Sequence, residues 1–337
     1  MDNVIKILVI RFSSIGDVVL TTPVVRCLKQ QLPNIEVHFC TKKLYWNIIK
    51  NNPNIDRCYL LDNNLHWLIQ CLRIERYDYI IDLHNNFRTK LIKKALGVRS
   101  FTVNKINVRK WLYVSLKLNI MPMEHLVDRY LATVLSLAVK DDGLGLDFFI
   151  DAADHVDINQ LPLTHQSGYV AYAIGGQYAT KRLPVERIIE LCRKIGGPVV
   201  LLGSEDDRRT GERVAGVIGN ESIYNACGKY NLCQSASLLK QSRVVFSHDT
   251  GLMHIAAALK KKVYSIWGNT TPQFGMYPYR TEYVVLEKQG LPCRPCSKIG
   301  SARCPQGHFK CMNELLFAFD RDNLEMIDPR NTTRIMR

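Results

Sequence analysis

The chain has 337 residues, 47% of them hydrophobic and 23% charged, enough for two domains with their own cores and incompatible with wholesale disorder. Its formal net charge of +14 calls for anionic partners: a nucleotide, a phosphorylated glycan, an anionic membrane face or a nucleic acid. No apolar run approaches the roughly 20 residues of a membrane-spanning helix. Lys6 and Arg11 interrupt the N-terminal apolar stretch, which reads as a buried strand and not a signal peptide, so a cytoplasmic location is expected.

In chain order, Val4–Phe12 is an apolar, β-branched run bounded by Ser13, Ser14 and Gly16, the pattern of a buried parallel strand. Helical spacing follows over Asp17–Leu32, with Pro23 early and Pro33 at the stop. Strands are predicted at Glu36–Thr41, Cys58–Leu61 and Tyr79–Leu83, and helices at Tyr45–Lys50, Leu65–Arg76, Arg88–Leu96, Val108–Lys117 and His125–Val139. A polar stretch, Asp151–Ser167, reads as the linker. The rhythm then restarts, with strands at Tyr169–Ile174, Pro198–Leu202, Val244–Ser247 and Lys262–Trp267. Helices are predicted at Pro184–Ile195, Asp206–Ile218, Leu232–Gln241 and Thr250–Leu259. Repeated βα units with short connections imply two doubly wound α/β domains, with ligands at the carboxyl ends of their strands in a cleft between them.

Four strand-to-helix loops carry candidate chemistry. In Arg11-Phe12-Ser13-Ser14-Ile15-Gly16-Asp17, Gly16 permits close backbone approach, and Asp17 is either a general base or an N-cap or first-turn acid complementing the helix dipole. Gly175-Gly176-Gln177 with Lys181 and Arg182 suits a diphosphate, although basic loops are common on surfaces and no Walker A pattern is present. In Gly203-Ser204-Glu205-Asp206, Glu205 is placed either to accept from ribose hydroxyls or to start a helix. In Phe246-Ser247-His248-Asp249-Thr250-Gly251-Leu252-Met253-His254, the amides near Thr250 and Gly251 can receive phosphate oxygens; the plainer reading is a helix capped by Asp249 with His254 satisfied in the core. The lack of a GxGxxG fingerprint disfavours a nicotinamide or flavin enzyme.

Two further features stand apart. Between Asp82 and Glu124 there is no acidic residue, but nine cations: Arg88, Lys90, Lys93, Lys94, Arg99, Lys105, Arg109, Lys110 and Lys117, either a solvated face or a binding surface for an anionic acceptor. The eleven cysteines are odd in number and mostly isolated, which argues for reduced thiols. Cys293, Cys296, Cys304 and Cys311, with His308 among them, can hold structural zinc, stay free or form an oxidisable pair.

Together these segments resemble glycosyltransferase family 9, the ADP-heptose:lipopolysaccharide heptosyltransferases. The likeness rests on Ser13-Ser14-Ile15-Gly16-Asp17 with Thr22-Pro23, on Tyr77–His84, and on Asp249–Ala258 running to Trp267-Gly268 and Pro272, in order over roughly residues 4 to 313. It implies a GT-B fold of two Rossmann-like domains, 1–160 for the acceptor and 161–337 for the nucleotide sugar. It also implies inversion at the anomeric centre without metal or cofactor. Carried onto this sequence, it makes Asp17 the base and Lys181 the diphosphate contact, with Glu205, Asp249, Thr250, Gly251 and His254 around the donor. Ser14, Gly16, Arg88, Lys93 and Arg109 are assigned to a phosphorylated lipopolysaccharide-core acceptor, with peripheral contact to an anionic membrane surface. Two features depart from the family pattern: a short polar end, Asp320–Arg337, where a longer closing helix is expected, and the wording Gly175-Gly176-Gln177. The rival reading is a non-catalytic nucleotide-sugar or anionic-glycan binding protein. A nucleic-acid binder is disfavoured, since no such module is present and the basic tract lacks interleaved aromatics at stacking density.

Overall fold

A computed structural model describes residues 4–219, 221–320 and 324. The chain forms two compact units, Met1–Ile106 with Glu124–Phe149, and Asn107–Met123 with Ile150–Arg337. Residues 107–123 thus group with the second unit. The reason is local: Lys117 Nζ donates to the carbonyls of Cys293 (3.0 Å) and Pro295 (2.7 Å), and Asn119 Nδ2 donates to Gln273 Oε1 (3.0 Å).

In the first unit β1 (Ile5–Ile10), β2 (Ile35–Lys42), β3 (Arg57–Leu61), β4 (Tyr79–Asp82) and β5 (Arg99–Thr102) form one sheet ordered β3-β2-β1-β4-β5. Every neighbouring pair is parallel. Central β1 is covered on both faces, so Ile7 to Ile10 are all fully buried, and its sequence is an unbroken apolar run instead of an alternation. The predicted helix over Asp17–Leu32 is in fact two, Ile15–Val19 and Thr22–Gln31. Pro23 has no N–H to offer the carbonyl of Val19, four residues back, and the Thr22 hydroxyl donates there instead at 2.8 Å. The helix expected over His125–Val139 runs only from Leu126 to Leu131, with a 3-10 turn at Leu135–Leu137. Buried Arg26 closes the unit: its guanidinium is bidentate to Asp142 (2.6 and 2.8 Å) and also meets Asp147 and the Gly145 carbonyl.

The second unit holds β6 (Val170–Ala173), β7 (Val199–Leu202), β8 (Ile223–Asn225), β9 (Val245–His248), β10 (Val263–Trp267) and β11 (Tyr283–Glu287), ordered β11-β10-β9-β6-β7-β8 and all parallel. Its core includes Tyr172, Ile189, Leu201, Val214 and Ile266, with Phe246 and Tyr264 stacked at 4.4 Å between centroids. The polar stretch Asp151–Ser167 contains three short helical turns, at Ala152–Asp154, Ile158–Gln160 and Leu163–Gln166.

Both sheets reverse strand order at one point, between β1 and β4 and between β6 and β9. The crevice beyond the carboxyl ends of strands at such a point is where open α/β sheets bind ligands. Among the described residues no helix is long and apolar enough to cross a membrane. The chain's end, where a closing helix was at issue, lies outside the described residues except for 320 and 324.

Candidate active site

At the first reversal, β1 is followed directly by Arg11 and leads into Ser14–Asp17. Arg11 Nη2 pairs with Asp17 Oδ1 at 2.7 Å, while the backbone N–H and hydroxyl of Ser14 donate to Asp17 Oδ2 at 3.1 and 2.8 Å. Asp17 is thus the first-turn acid of a capping box, and its partly exposed carboxylate is also held in one orientation. Arg11 is fixed in turn by the carbonyls of Ser13 (2.7 Å) and Leu83 (2.6 Å) and lies over the buried Tyr130 ring. Burial works against the Arg11 charge, but the Asp17 carboxylate together with Tyr130 and Asp82 more than offsets it and raises the guanidinium.

From the end of β4 comes His84, its ring edge-on to Phe12 at 5.4 Å between centroids. Burial, reinforced by Arg11 and Lys105, lowers it to about 4, so it is neutral at pH 7. Half-buried Lys105 is lowered by burial and by Arg11, while Asp82 and Asp17 partly restore it. The sequence motifs contain both Arg11 and His84, but sequence reasoning gave neither a role in this site. The available signal was position: both stand at the carboxyl ends of adjoining strands.

At the second reversal, the loops after β6, β9 and β10 are stitched together. Lys181 Nζ donates to Asp249 Oδ2 at 2.7 Å and to the Asp249 carbonyl at 3.3 Å; Thr270 Oγ1 donates to the same carboxylate oxygen at 2.9 Å. Asp249 therefore orients Lys181. Pointed at a diphosphate it would only repel. Thr250 is the N-cap of the helix Gly251–Ala258 without a side-chain capping bond, and its hydroxyl lies 3.4 Å from that of Ser247. The first turn of that helix presents backbone N–H groups beside the lysine, an arrangement that receives anions.

His248, which sequence reasoning passed over, pins the loop after β6. It is fully buried; Nε2 accepts the Leu183 N–H at 3.0 Å, and Nδ1 lies 3.4 Å from the Gly175 carbonyl. The first contact leaves the proton on Nδ1, so the ring bridges as a neutral tautomer, and burial lowers it to about 4. Two glycines allow the loops to approach. A Cβ on Gly175 would stand 2.6 Å from Asp207 Oδ2, and one on Gly268 2.6 Å from the Thr180 carbonyl. Ser204 caps this turn and Asp207 completes the capping box, accepting from Ser204 N (2.9 Å) and Oγ (2.8 Å) and pairing with Arg182 at 3.2 Å. Glu205 is exposed just beyond β7, paired with Arg208 at 2.7 Å.

The remaining expected residues are dispersed. Gly16 is buried in the first helical turn and Ser14 is exposed. Lys93 ties its helix to the sheet through Asp82 (2.9 Å) and Thr102 (2.8 Å). Arg88 is exposed on that helix, whereas Arg109 is exposed in the other unit. His254 is buried, 2% exposed, one turn into the helix. The four late cysteines are free thiols; the Cys296 thiol donates to the Cys293 carbonyl at 2.9 Å, and Cys293 Sγ lies 4.0 Å from His308 Nε2. Among the described residues only Cys27, Asp141 and Asp142 bring three candidate metal-ligand atoms within 4.8 Å of one another, and Asp142 is already engaged by Arg26.

Two parallel α/β units, each with a loop site at its strand-order reversal, are the architecture of a GT-B glycosyltransferase. The fold is shared with the glycosyl transferase family 9 protein of Veillonella parvula DSM 2008, at 20% identity and a TM-score of 0.69 over 83% of this chain and 85% of that one. It is shared too with the E. coli ADP-heptose lps heptosyltransferase II, at 22% identity and 0.65 over 92% and 98%. The lipopolysaccharide heptosyltransferase 1 of Campylobacter coli is 24% identical over 292 residues, 79% of this chain and 84% of that protein. The sequence profile of glycosyltransferase family 9 (heptosyltransferase) matches residues 65–305, and the chain belongs to that family.

Proposed function

We propose that this enzyme transfers heptose from ADP-heptose to a lipopolysaccharide inner-core acceptor by a single inverting displacement without a divalent metal. Family membership supports the sugar and acceptor class, since the relatives compared above are named for heptosyl transfer to lipopolysaccharide. The observation that carries the mechanism is the Asp17 carboxylate, held by Arg11 and Ser14 at the strand-order reversal of the first sheet.

Asp17 accepts the proton of the acceptor hydroxyl as that oxygen bonds to the anomeric carbon. The bond from that carbon to the diphosphate breaks, and the negative charge passes to departing ADP. An ammonium has three protons; two of Lys181's serve Asp249, and the third is available to the diphosphate, beside the amides of the Gly251–Ala258 helix. This is the reason for proposing metal independence: the two buried carboxylates of these loops, Asp249 and Asp207, are already matched to Lys181 and Arg182. Glu205, at the end of the strand next to β6, is assigned to the ribose hydroxyls. Arg11 and Lys105 give the Asp17 neighbourhood the positive field that an acidic core sugar requires. The test is the anomeric configuration of the product, read by NMR coupling. A configuration opposite to the donor's supports the displacement, and retention overturns it.

A further inference from the structure

The loop that follows β11 carries Cys293 and Cys296, and none of its residues has a role in the proposed transfer. Its hydrogen bonds nevertheless run to two of the donor-site loops. Arg294, its side chain 9% exposed, donates from Nε to the Gly268 carbonyl (2.6 Å) and from Nη2 to the Thr270 carbonyl (2.9 Å). Its Nη1 donates to the Lys288 carbonyl (2.7 Å), and Nη2 also pairs with Glu287 Oε2 (2.8 Å). The Cys296 N–H donates to the Asn269 carbonyl at 3.0 Å. The loop after β10 is therefore gripped at the successive carbonyls of Gly268, Asn269 and Thr270.

Farther along, Ser301 exchanges bonds with Thr180, the residue before Lys181. The Ser301 N–H donates to Thr180 Oγ1 (2.8 Å), and its carbonyl accepts from that hydroxyl (2.9 Å) and from the Thr180 N–H (3.2 Å). A Cβ on Gly300 would stand 2.6 Å from the Tyr178 side chain, so the two segments lie against each other. Between these anchors the Ser297 hydroxyl donates to the Gly300 carbonyl and accepts from the Gly300 N–H, each at 3.0 Å, which ties the two ends into one turn.

We infer that residues 294–301 are a positioning clip for the donor site, acting through Lys181. One end fixes Thr270, whose hydroxyl bonds the Asp249 carboxylate that orients Lys181. The other end fixes the turn from which Lys181 projects. A guanidinium suits the first task, because its rigid fork of donors meets several acceptors at once, whereas an ammonium is a compact point donor. Aim matters here, because a donor to developing diphosphate charge is effective when it is oriented before the reaction. Arg294 and Thr180 touch no substrate in this account; both are positioning residues. The inference rests on the reading of Lys181 as the diphosphate contact.

The experiment is calorimetric titration of the full chain with ADP, with a urea titration of each protein alongside. It compares wild type, Arg294→Met, Thr180→Val and Thr180→Ser, with Arg294→Met and Thr180→Val repeated in the Lys181→Met background. Thr180→Val keeps the branched shape of a buried side chain, so it reports on the clip even where Arg294→Met does not fold. Arg294→Met and Thr180→Val are expected to weaken ADP binding by about tenfold, within the coupling found among residues of one hydrogen-bonded network, and to add little in the Lys181→Met background. Thr180→Ser, which keeps the hydroxyl, should bind ADP as the wild type does. A merely structural loop would lower stability at unchanged ADP affinity, or lower affinity equally in both backgrounds; either result overturns the inference. Failure of the functional reading is distinct: Lys181→Met alone would leave ADP affinity at its wild-type value, and the inference would fall with it.

Discussion

Arg11 Nη2 lies 2.7 Å from Asp17 Oδ1 at the carboxyl end of β1, and the two residues hold each other in place. Arg11 is almost wholly buried and bonded to two carbonyls, so it is a fixed donor and not a surface charge that happens to be near. This arrangement gives Asp17 a structural as well as a chemical duty.

Asp17→Asn should therefore do two things. It should lower turnover by about 10²–10⁴, the usual range for a general base. It should also cost about 1–3 kcal/mol of stability, because Arg11 loses its charge partner. ADP affinity, assigned here to the second unit, should not change. Steady-state kinetics, a urea titration and calorimetry on one preparation separate the three; wild-type turnover removes Asp17 from the chemistry.

Lys181 and Asp249 should behave as one unit. Lys181→Met should lower turnover by about 10²–10³, the effect of losing one donor to developing charge, and weaken ADP binding. Asp249→Asn should do part of the same damage by releasing the lysine. In a double-mutant cycle on ADP affinity the two losses should not add. Additive losses would mean that Asp249 acts on the nucleotide independently.

His248 should make the second unit acid-sensitive. It titrates near 4 in the folded chain and near 6.5 unfolded. The unfolded chain then binds more protons between those values, so stability is intact above about pH 6.5 and falls as pH drops toward 4, by up to about 3 kcal/mol from this residue. His248→Gln, which can still accept from Leu183 and donate to Gly175, should show a smaller loss between about pH 7 and about pH 5 than wild type. Parallel curves from urea unfolding would assign the acid sensitivity elsewhere.

Much of the fold was legible because buried parallel strands write themselves as apolar runs; β1 and β9 were placed within two residues. The strands that escaped notice, β5, β8 and β11, are at or next to sheet edges, and β5 and β8 are short and partly polar, with little apolar signal to read. The positions of Asp17, Lys181 and Thr250 in strand-to-helix loops were readable from local pattern. The distant contacts that fix these loops were not: Lys181 meets Asp249 68 residues away, and Arg11–Leu83 and His248–Leu183 join segments 72 and 65 residues apart. The basic tract misled in another way: charge counting cannot tell Lys93, spent on Asp82, from exposed Arg88. Nor does it show that 107–123 joins the second unit.

Chelation should leave catalysis intact. With excess EDTA the rate should stay at its initial value, since Lys181 and a helix terminus are assigned the task of a divalent ion. A fall in melting temperature at unchanged rate would instead favour structural zinc at Cys293, Cys296, Cys304 and Cys311. Lost activity restored by Mg²⁺ or Mn²⁺ would contradict the metal-free mechanism.

The most direct test of the central claim is mass spectrometry of a heptose-deficient lipopolysaccharide core incubated with ADP-heptose and the purified chain. The account predicts that the acceptor gains the mass of one heptosyl residue, with one equivalent of ADP released and no gain from the Asp17→Asn variant on the same timescale. Binding of ADP-heptose with no change in acceptor mass would contradict it and leave a protein that holds the nucleotide sugar without transferring it.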